Sequence, residues 1–182
     1  MRDDGDEALL RAAGGGDRDA FAALVERHLG RAIAIAGRML GSRADAEEVA
    51  QEAFLRVWQK APDWRDDGGA KFSTWLHRVL VNLCIDRKRR RPTVPLDAIE
   101  EPADESADSY DRVARRERQA RVASALAALP DRQRAAVVLS YYEGLSNGAV
   151  AEALDVTVGA VESLLVRARR TLAAALQDLR SS

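Results

Sequence analysis

The stretch GLSNGAVAEALDVTVGAV, residues 144–161, decides how this chain is read. Ser146 and Thr157 are residue types whose side-chain oxygens accept hydrogen bonds from the first free amides of a helix. Between them lie the apolar run Ala149–Leu154 and a turn around Asp155 and Val156. The pattern is short capped helix, turn, second capped helix, with Ala151 small enough to let the two helices cross closely: a helix-turn-helix. At helical spacing Val158, Val161, Leu165, Ala168, Leu172 and Leu176 form the stripe expected to be buried, while Gly159, Ser163, Val166, Arg167 and Arg170 face outward. Three-helix units of this kind also bind proteins, so the motif by itself leaves DNA and protein partners open.

Working back from this motif, helices are expected over about 112–128 and 131–143, ahead of 147–154 and 158–178. Pro130 suits the start of a helix and Gly144 the end of one. Residues 92–111 carry Pro92, Pro95, Pro102, seven acids and no base, with few large apolar residues. They read as an acidic flexible linker without a core of its own. Before it, residues 17–91 divide into a helix from Asp17 to Gly30, a short one from Arg31 to Leu40, one from a capping box at Asp45 and Glu48 to Lys60, and one from Ser73 to the arginine run stopped by Pro92. Residues 1–16 read as an N-terminal tail. The fold expected is all-α: two small helical domains, 17–91 and 112–182, joined by the 92–111 linker.

Composition agrees and excludes much. In 182 residues there are 12 Gly and 5 Pro, 31% charged and 5% aromatic residues, the balance of a helical chain. No apolar run approaches a membrane span, so direct membrane insertion is not expected, and the acidic N-terminus is no signal peptide. One cysteine, Cys84, allows no internal disulfide and fits a reducing cytoplasm; it suits a core thiol more than a redox sensor. With two histidines and no nucleophile–base pair, no catalytic residue, metal site or cofactor is assigned. The net charge of −1 hides a sharp alternation: residues 71–91 hold seven bases and one acid, just before the acidic linker. Such segregation suits one anionic partner bound at one place.

Three further constellations stand out. On the helix 45–60, Ala46, Val49, Ala50, Ala53, Phe54, Val57 and Trp58 form the core face. Glu48, Gln51, Glu52 and Gln59 lie opposite with Leu55 among them, either an idle exposed leucine or the apolar anchor of a docking face. On the helix 73–91, Leu76, Val79, Leu80, Leu83 and Cys84 form the core stripe. Trp75, Arg78, Asn82, Asp86 and Arg89 fall together on another side. Amides and guanidinium groups address base edges and phosphates, and Trp75 either stacks on an unpaired base or packs in the core. The loop 64–71 contains Asp66-Asp67-Gly68-Gly69, too acidic for a phosphate cradle but able to close over a flipped base.

In this order, Asp45–Trp58 (DAEEVAQEAFLRVW), Phe72–Asn82 (FSTWLHRVLVN), Asp86 with its following bases, Leu129-Pro-Asp-Arg-Gln-Arg134 and the helix-turn-helix ending at Arg170 resemble the extracytoplasmic-function group of bacterial RNA polymerase sigma factors. The resemblance covers almost the whole chain. It implies that residues 45–58, through Glu48, Gln51, Glu52, Leu55 and Gln59, dock the β′ clamp helices of core RNA polymerase. It implies that 64–91 recognise and open the −10 element, with Lys71, Trp75, Arg78, Asn82, Asp86 and Arg89 as candidates. It implies that the helix-turn-helix reads the −35 element in the major groove through Thr157, Gly159, Ser163, Val166, Arg167 and Arg170. A contact of the C-terminal domain with the β flap and control by an anti-sigma factor also follow. Asn147, Gly148, Glu162, Leu164 and Val166 depart from the bulkier or more basic residues usual there, which points to an uncommon promoter preference. A fused receiver or C-terminal regulatory domain is not expected.

The 20-residue linker spans at most about 66–72 Å, roughly 20 base pairs, so the two domains can occupy separate elements of one promoter. Its acids are expected to enter the polymerase RNA channel or to discourage DNA binding by the free protein. The alternative is a dimeric helix-turn-helix regulator that works without polymerase, and it has no use for the Glu48–Leu55 face.

Overall fold

Leu9, Leu10 and Ala13, inside the expected tail, are buried. They belong to α1 (Asp6–Gly14), which packs on α2 (Arg18–Leu40) and is tied to it where Asp6 accepts hydrogen bonds from Arg27 and His28 at 2.7 and 2.8 Å. A computed structural model describes residues 5–64, 71–90 and 109–177, and among these every regular element is helical. The order continues with α3 (Arg43–Lys60), a 3₁₀ turn (Ala61–Asp63), α4 (Phe72–Arg90), α5 (Ser109–Ala127), α6 (Asp131–Val137), a π-helical turn (Val138–Tyr142), α7 (Asn147–Leu154) and α8 (Val158–Ala175). Residues 65–70 of the expected loop and 92–108 of the expected linker lie outside the described residues; 109–111 already belong to α5.

Two helix boundaries differ from expectation for physical reasons. Asp17 caps α2 as expected, accepting from the Asp19 and Ala20 amides at 3.0 Å, but Gly30 does not end it. A helix-interior glycine costs about 1 kcal/mol against alanine, and burial of Leu24, Ala32, Ile35 and Ala36 on either side outweighs that. The stop comes at Gly41, whose left-handed φ of 73° is a conformation that glycine adopts freely. α3 begins at Arg43, two residues before the expected capping box, because Ser42 takes the cap and accepts from the Asp45 amide at 3.3 Å. The Asp45 carboxylate turns instead to Arg87 on α4, at 2.6 and 2.9 Å.

The N-terminal half packs α2 against α3 and α4, with Ala46, Val49, Ala50, Ala53, Phe54 and Val57 of α3 all buried as expected. Trp58 sits half-buried at the edge, its ring 5.0 Å from Phe21. In the C-terminal half, α6, α7 and α8 enclose Val138, Leu139, Val150, Val161, Leu165 and Ala168. The two halves also touch: α4 packs on α7, and α2 meets α5, α6 and the π turn. Arg134, 2% exposed, joins them, donating to the carbonyls of Leu126, Ala127 and Leu129 around the end of α5 and to Met39 at the end of α2.

Candidate polymerase and nucleic-acid interfaces

α3 presents one face to the core and one to solvent. Leu55, 61% exposed, stands on the solvent face with Glu48, Gln51, Glu52 and Gln59, all exposed. Burying a leucine is worth roughly 1.5–3 kcal/mol, and this one lies among groups able to accept or donate. Glu48 is not idle: its carboxylate pairs with Arg87 of α4, as does that of Asp45. Burial alone lowers the Arg87 pKa, but its hydrogen bonds to Glu48 and Asp45 prevail and hold it above the usual arginine value. The solvent face of α3 is thereby coupled to α4 by an ion pair.

α4 turns three faces to three surroundings. Phe72, Leu76, Val79, Leu80 and Leu83 are in the core; Cys84 is fully buried, its thiol pushed up to about 12 by burial. Asn82, Asp86 and Arg89 are exposed on a second face, with Trp75 half-buried at its start. Trp75 rests against Trp64 (ring centroids 5.6 Å apart) and Phe72 (6.4 Å), so it is a supported ring with an accessible part rather than a free one. The third face was not foreseen. Val81 (2% exposed) and His77 (5%) lie off the core stripe and are nevertheless buried. At 100° per residue they share a side of α4 with Arg78 and Lys88, whose partners Asp155 (2.8 Å) and Asp131 (2.6 Å) belong to the C-terminal half. Burial lowers the His77 pKa to about 4, despite the nearby Glu143 carboxylate that favours its charged form.

Of the expected −10 candidates, Trp75, Asn82, Asp86 and Arg89 therefore share one accessible surface, and Lys71 is exposed at the start of the helix. Arg78 is engaged with Asp155. The free amide of Phe72 at the α4 N-terminus is met by the Glu7 carboxylate of α1 at 3.4 Å, a contact that reading residues 1–16 as a tail concealed. Only the acid-first-turn signature of Asp6 and Glu7 beside Leu9 and Leu10 signals it in the sequence.

The helix-turn-helix stands as expected. Ser146 accepts from the Ala149 amide and Thr157 from the Ala160 amide, both at 3.2 Å, and Asp155 makes the turn with φ 55°. Thr157, Gly159, Ser163, Val166, Arg167 and Arg170 are all exposed. Val158, expected in the buried stripe, is 44% exposed because it is the first residue of α8 and lies at the mouth of a cleft facing α4. Val161, Leu165 and Ala168 hold the buried stripe; Leu172 and Leu176 are half-buried.

Residues 24–92 match Sigma-70 region 2 and residues 119–172 match Sigma-70, region 4. The ECF RNA polymerase sigma factor SigW of Bacillus subtilis is 35% identical over 176 residues, covering 90% of this chain and 92% of SigW. The chain belongs to the ECF RNA polymerase sigma factors. It is an alternative sigma factor of the sigma-70 family, with region 2 in the N-terminal half and region 4 in the C-terminal half. Among solved structures, CnrH in complex with the cytosolic domain of CnrY is 33% identical, covers 96% of this chain and 99% of CnrH, and has a TM-score of 0.72. The sigma factor RpoE, solved with the anti-sigma factor NepR from Bartonella quintana, shares the fold at 21% identity, covering 86% of this chain and 96% of RpoE, with a TM-score of 0.68.

Proposed function

We propose that this sigma factor binds core RNA polymerase through the solvent face of α3, reads and melts the −10 element along α4, and reads the −35 element with the exposed side of α8. The observation that carries the reading is Leu55, a large apolar side chain 61% exposed in the midst of Glu48, Gln51, Glu52 and Gln59 on a helix whose other face is buried apart from half-buried Trp58 at its edge. An apolar anchor rimmed by charge is the anatomy of a docking site for a basic, partly apolar partner surface such as the β′ clamp helices.

Melting on this reading is driven by binding. Opening base pairs costs stacking, and capture of an extruded base beside Trp75 and Asn82 offsets it with no covalent step, so no residue is assigned a catalytic role. Region 4 contributes the −35 contacts of Thr157, Gly159, Ser163, Val166, Arg167 and Arg170, and meets the β flap. Binding polymerase and promoter DNA places the proposed work beside the chromosome in the cytoplasm; no helix among the described residues is long and apolar enough to cross a membrane. That CnrH, 33% identical, was solved in complex with the cytosolic domain of CnrY supports control by a protein partner, which we take to be an anti-sigma factor.

The test is reconstitution with core polymerase. Leu55→Glu with Glu52→Lys is expected to abolish co-purification with core enzyme and promoter-specific transcription, leaving the circular dichroism spectrum and thermal midpoint unchanged. Retained association and initiation would overturn the assignment of the α3 face, and no stimulation by the unaltered protein would overturn the function.

A further inference from the structure

Arginines of the two halves are held differently. Arg56, Arg78 and Arg87 of the N-terminal half each meet a carboxylate. Among the described residues, no carboxylate pairs with Arg115, Arg118 or Arg121 of α5, or with Arg167, Arg169 or Arg170 of α8, and all six are exposed. α5 packs on α8, so the C-terminal half carries both sets together.

α5 itself has two unlike parts. Toward its end Ala125 and Leu126 are buried and Val122 is half-buried against the core. At 100° per residue, Arg115 lies within about 20° of Val122 and Leu126, and Arg118 within about 20° of Ala125. The stripe that is apolar where α5 meets the core is therefore arginine where the helix runs past it, and every residue from Arg115 to Arg121 is exposed. Like charges three residues apart, Arg115 with Arg118 and Arg118 with Arg121, disfavour a helix until an anion neutralises them. Glu117, the single acid in this stretch, stands on the side opposite Arg115.

Residues 115–121 include no apolar side chain larger than alanine, so the strip lacks the aromatic or aliphatic anchor on which protein interfaces turn. It offers guanidinium forks, the group that matches phosphate geometry. Arg115 to Arg121 is six helical steps, about 9 Å, and a duplex rising about 3.4 Å per base step presents about three successive phosphates over that length. We propose that Arg115, Arg118 and Arg121 of α5 grip the phosphate backbone of the promoter duplex beside the −35 element, a contact that fixes the register of α8 without reading sequence. This grip rests on the proposed −35 role of α8 and adds to it a contact outside the helix-turn-helix. Its strength falls steeply with salt, because each phosphate neutralised releases counterions.

Fluorescence anisotropy of the full chain with a labelled DNA duplex of about 30 base pairs and mixed sequence, titrated between about 50 and 200 mM salt, tests this. Arg115→Gln with Arg118→Gln and Arg121→Gln is expected to reduce the slope of log affinity against log salt by about 2–3, at about 0.9 per phosphate, and to weaken binding at least about tenfold at about 100 mM salt. Arg115→Lys with Arg118→Lys and Arg121→Lys keeps the charge and should keep the slope within about 1. The same loss of charge from exposed positions of the N-terminal half, Arg18→Gln with Arg43→Gln and Lys60→Gln, should leave the slope unchanged. An unchanged slope in the α5 glutamine variant, an equal fall in the control, or no duplex binding by the unaltered chain at the lowest salt overturns the grip. Displacement of the duplex by polyglutamate better than by unlabelled DNA of equal charge would assign the strip to an acidic protein and overturn DNA as its occupant. With core polymerase, the glutamine variant should lower initiation alike on promoters that differ in the −35 sequence, and a changed ranking overturns a sequence-independent contact. Arg167→Gln should change that ranking; if it does not, the −35 role of α8 fails while the salt slope of α5 still stands or falls by itself, so the two failures are distinguishable.

Discussion

Replacing Arg134 by methionine keeps much of the side-chain volume and removes a guanidinium that donates to four backbone carbonyls: Leu126 at 2.7 Å, Met39 at 2.6 Å, Leu129 at 3.1 Å, and Ala127. Exchanging a buried ionic pair for apolar groups is often neutral, since both partners disappear. Here the acceptors are peptide oxygens and remain. The Leu126 carbonyl keeps the Leu129 amide at 3.1 Å; each acceptor left orphaned costs about 1–3 kcal/mol, so the other three at the low end cost about 3. Against this stands the removal of a buried cation, whose desolvation already holds the Arg134 pKa below its ordinary value. The expected net loss is about 1–3 kcal/mol. In urea, with a slope near 2 kcal/mol per molar, the midpoint followed by circular dichroism at 222 nm falls by about 0.5–1.5 M. Arg134→Lys should recover less than half, because one ammonium cannot span three helix-end carbonyls and a fourth from α2. A midpoint for Arg134→Met within about 0.3 M of the parent would refute the hub.

Gly14 closes α1 against the 3₁₀ turn: a Cβ there would stand 2.4 Å from the Ala61 carbonyl oxygen. Gly14→Ala should therefore destabilise by about 1–3 kcal/mol, read as a lower thermal midpoint, and an unchanged midpoint would show that α1 docks differently. His77 has a pKa of about 4 when folded against 6.5 when free. Above pH 6.5 it is neutral in both states; as pH falls from 6.5 to 4 the unfolded chain takes the proton first. Stability drops over that window by on the order of 3 kcal/mol, and His77→Gln should flatten this part of a pH series of urea midpoints. Burial pushes the Cys84 thiol up to about 12, so at pH 8 an aromatic disulfide reagent should label it only as fast as the protein opens or unfolds. Immediate labelling of the native protein would contradict its position.

The helices were legible because their signals are local. Ser146, Thr157, Asp17 and Gly41 mark their boundaries through bonds to amides or a left-handed turn a few residues away, and the structure uses each in that way. The solvent face of α3 was legible too, since a single wheel separates exposed Leu55 from buried Phe54 and Val57. Gly30 misled because the pull of the core on Leu24 and Ile35 acts across helices and outweighs a local preference. The capping box misled because Asp45 had a better partner, Arg87, 42 residues away in the chain. Buried Val81 was opaque for the same reason: α4 packs on α7 as well as on α2 and α3, and no periodicity within α4 announces another neighbour.

The basic cluster shows what a charge count omits. Seven bases between residues 71 and 91 read as one anion-binding surface, yet the six among the described residues have different surroundings. Arg87 is held by Asp45 and Glu48 of its own half, so it stays committed whether the halves are together or apart. Arg78 and Lys88 are held by Asp155 and Asp131 of the other half, so they are released only by separation. Lys71, Arg89 and Arg90 are exposed already. The charge available to a nucleic acid is thus a property of the conformation as well as of the sequence. The carboxylates that engage Arg78 and Lys88, those of Asp155 and Asp131, both belong to the C-terminal half, so the free charge of α4 depends on how that half is placed.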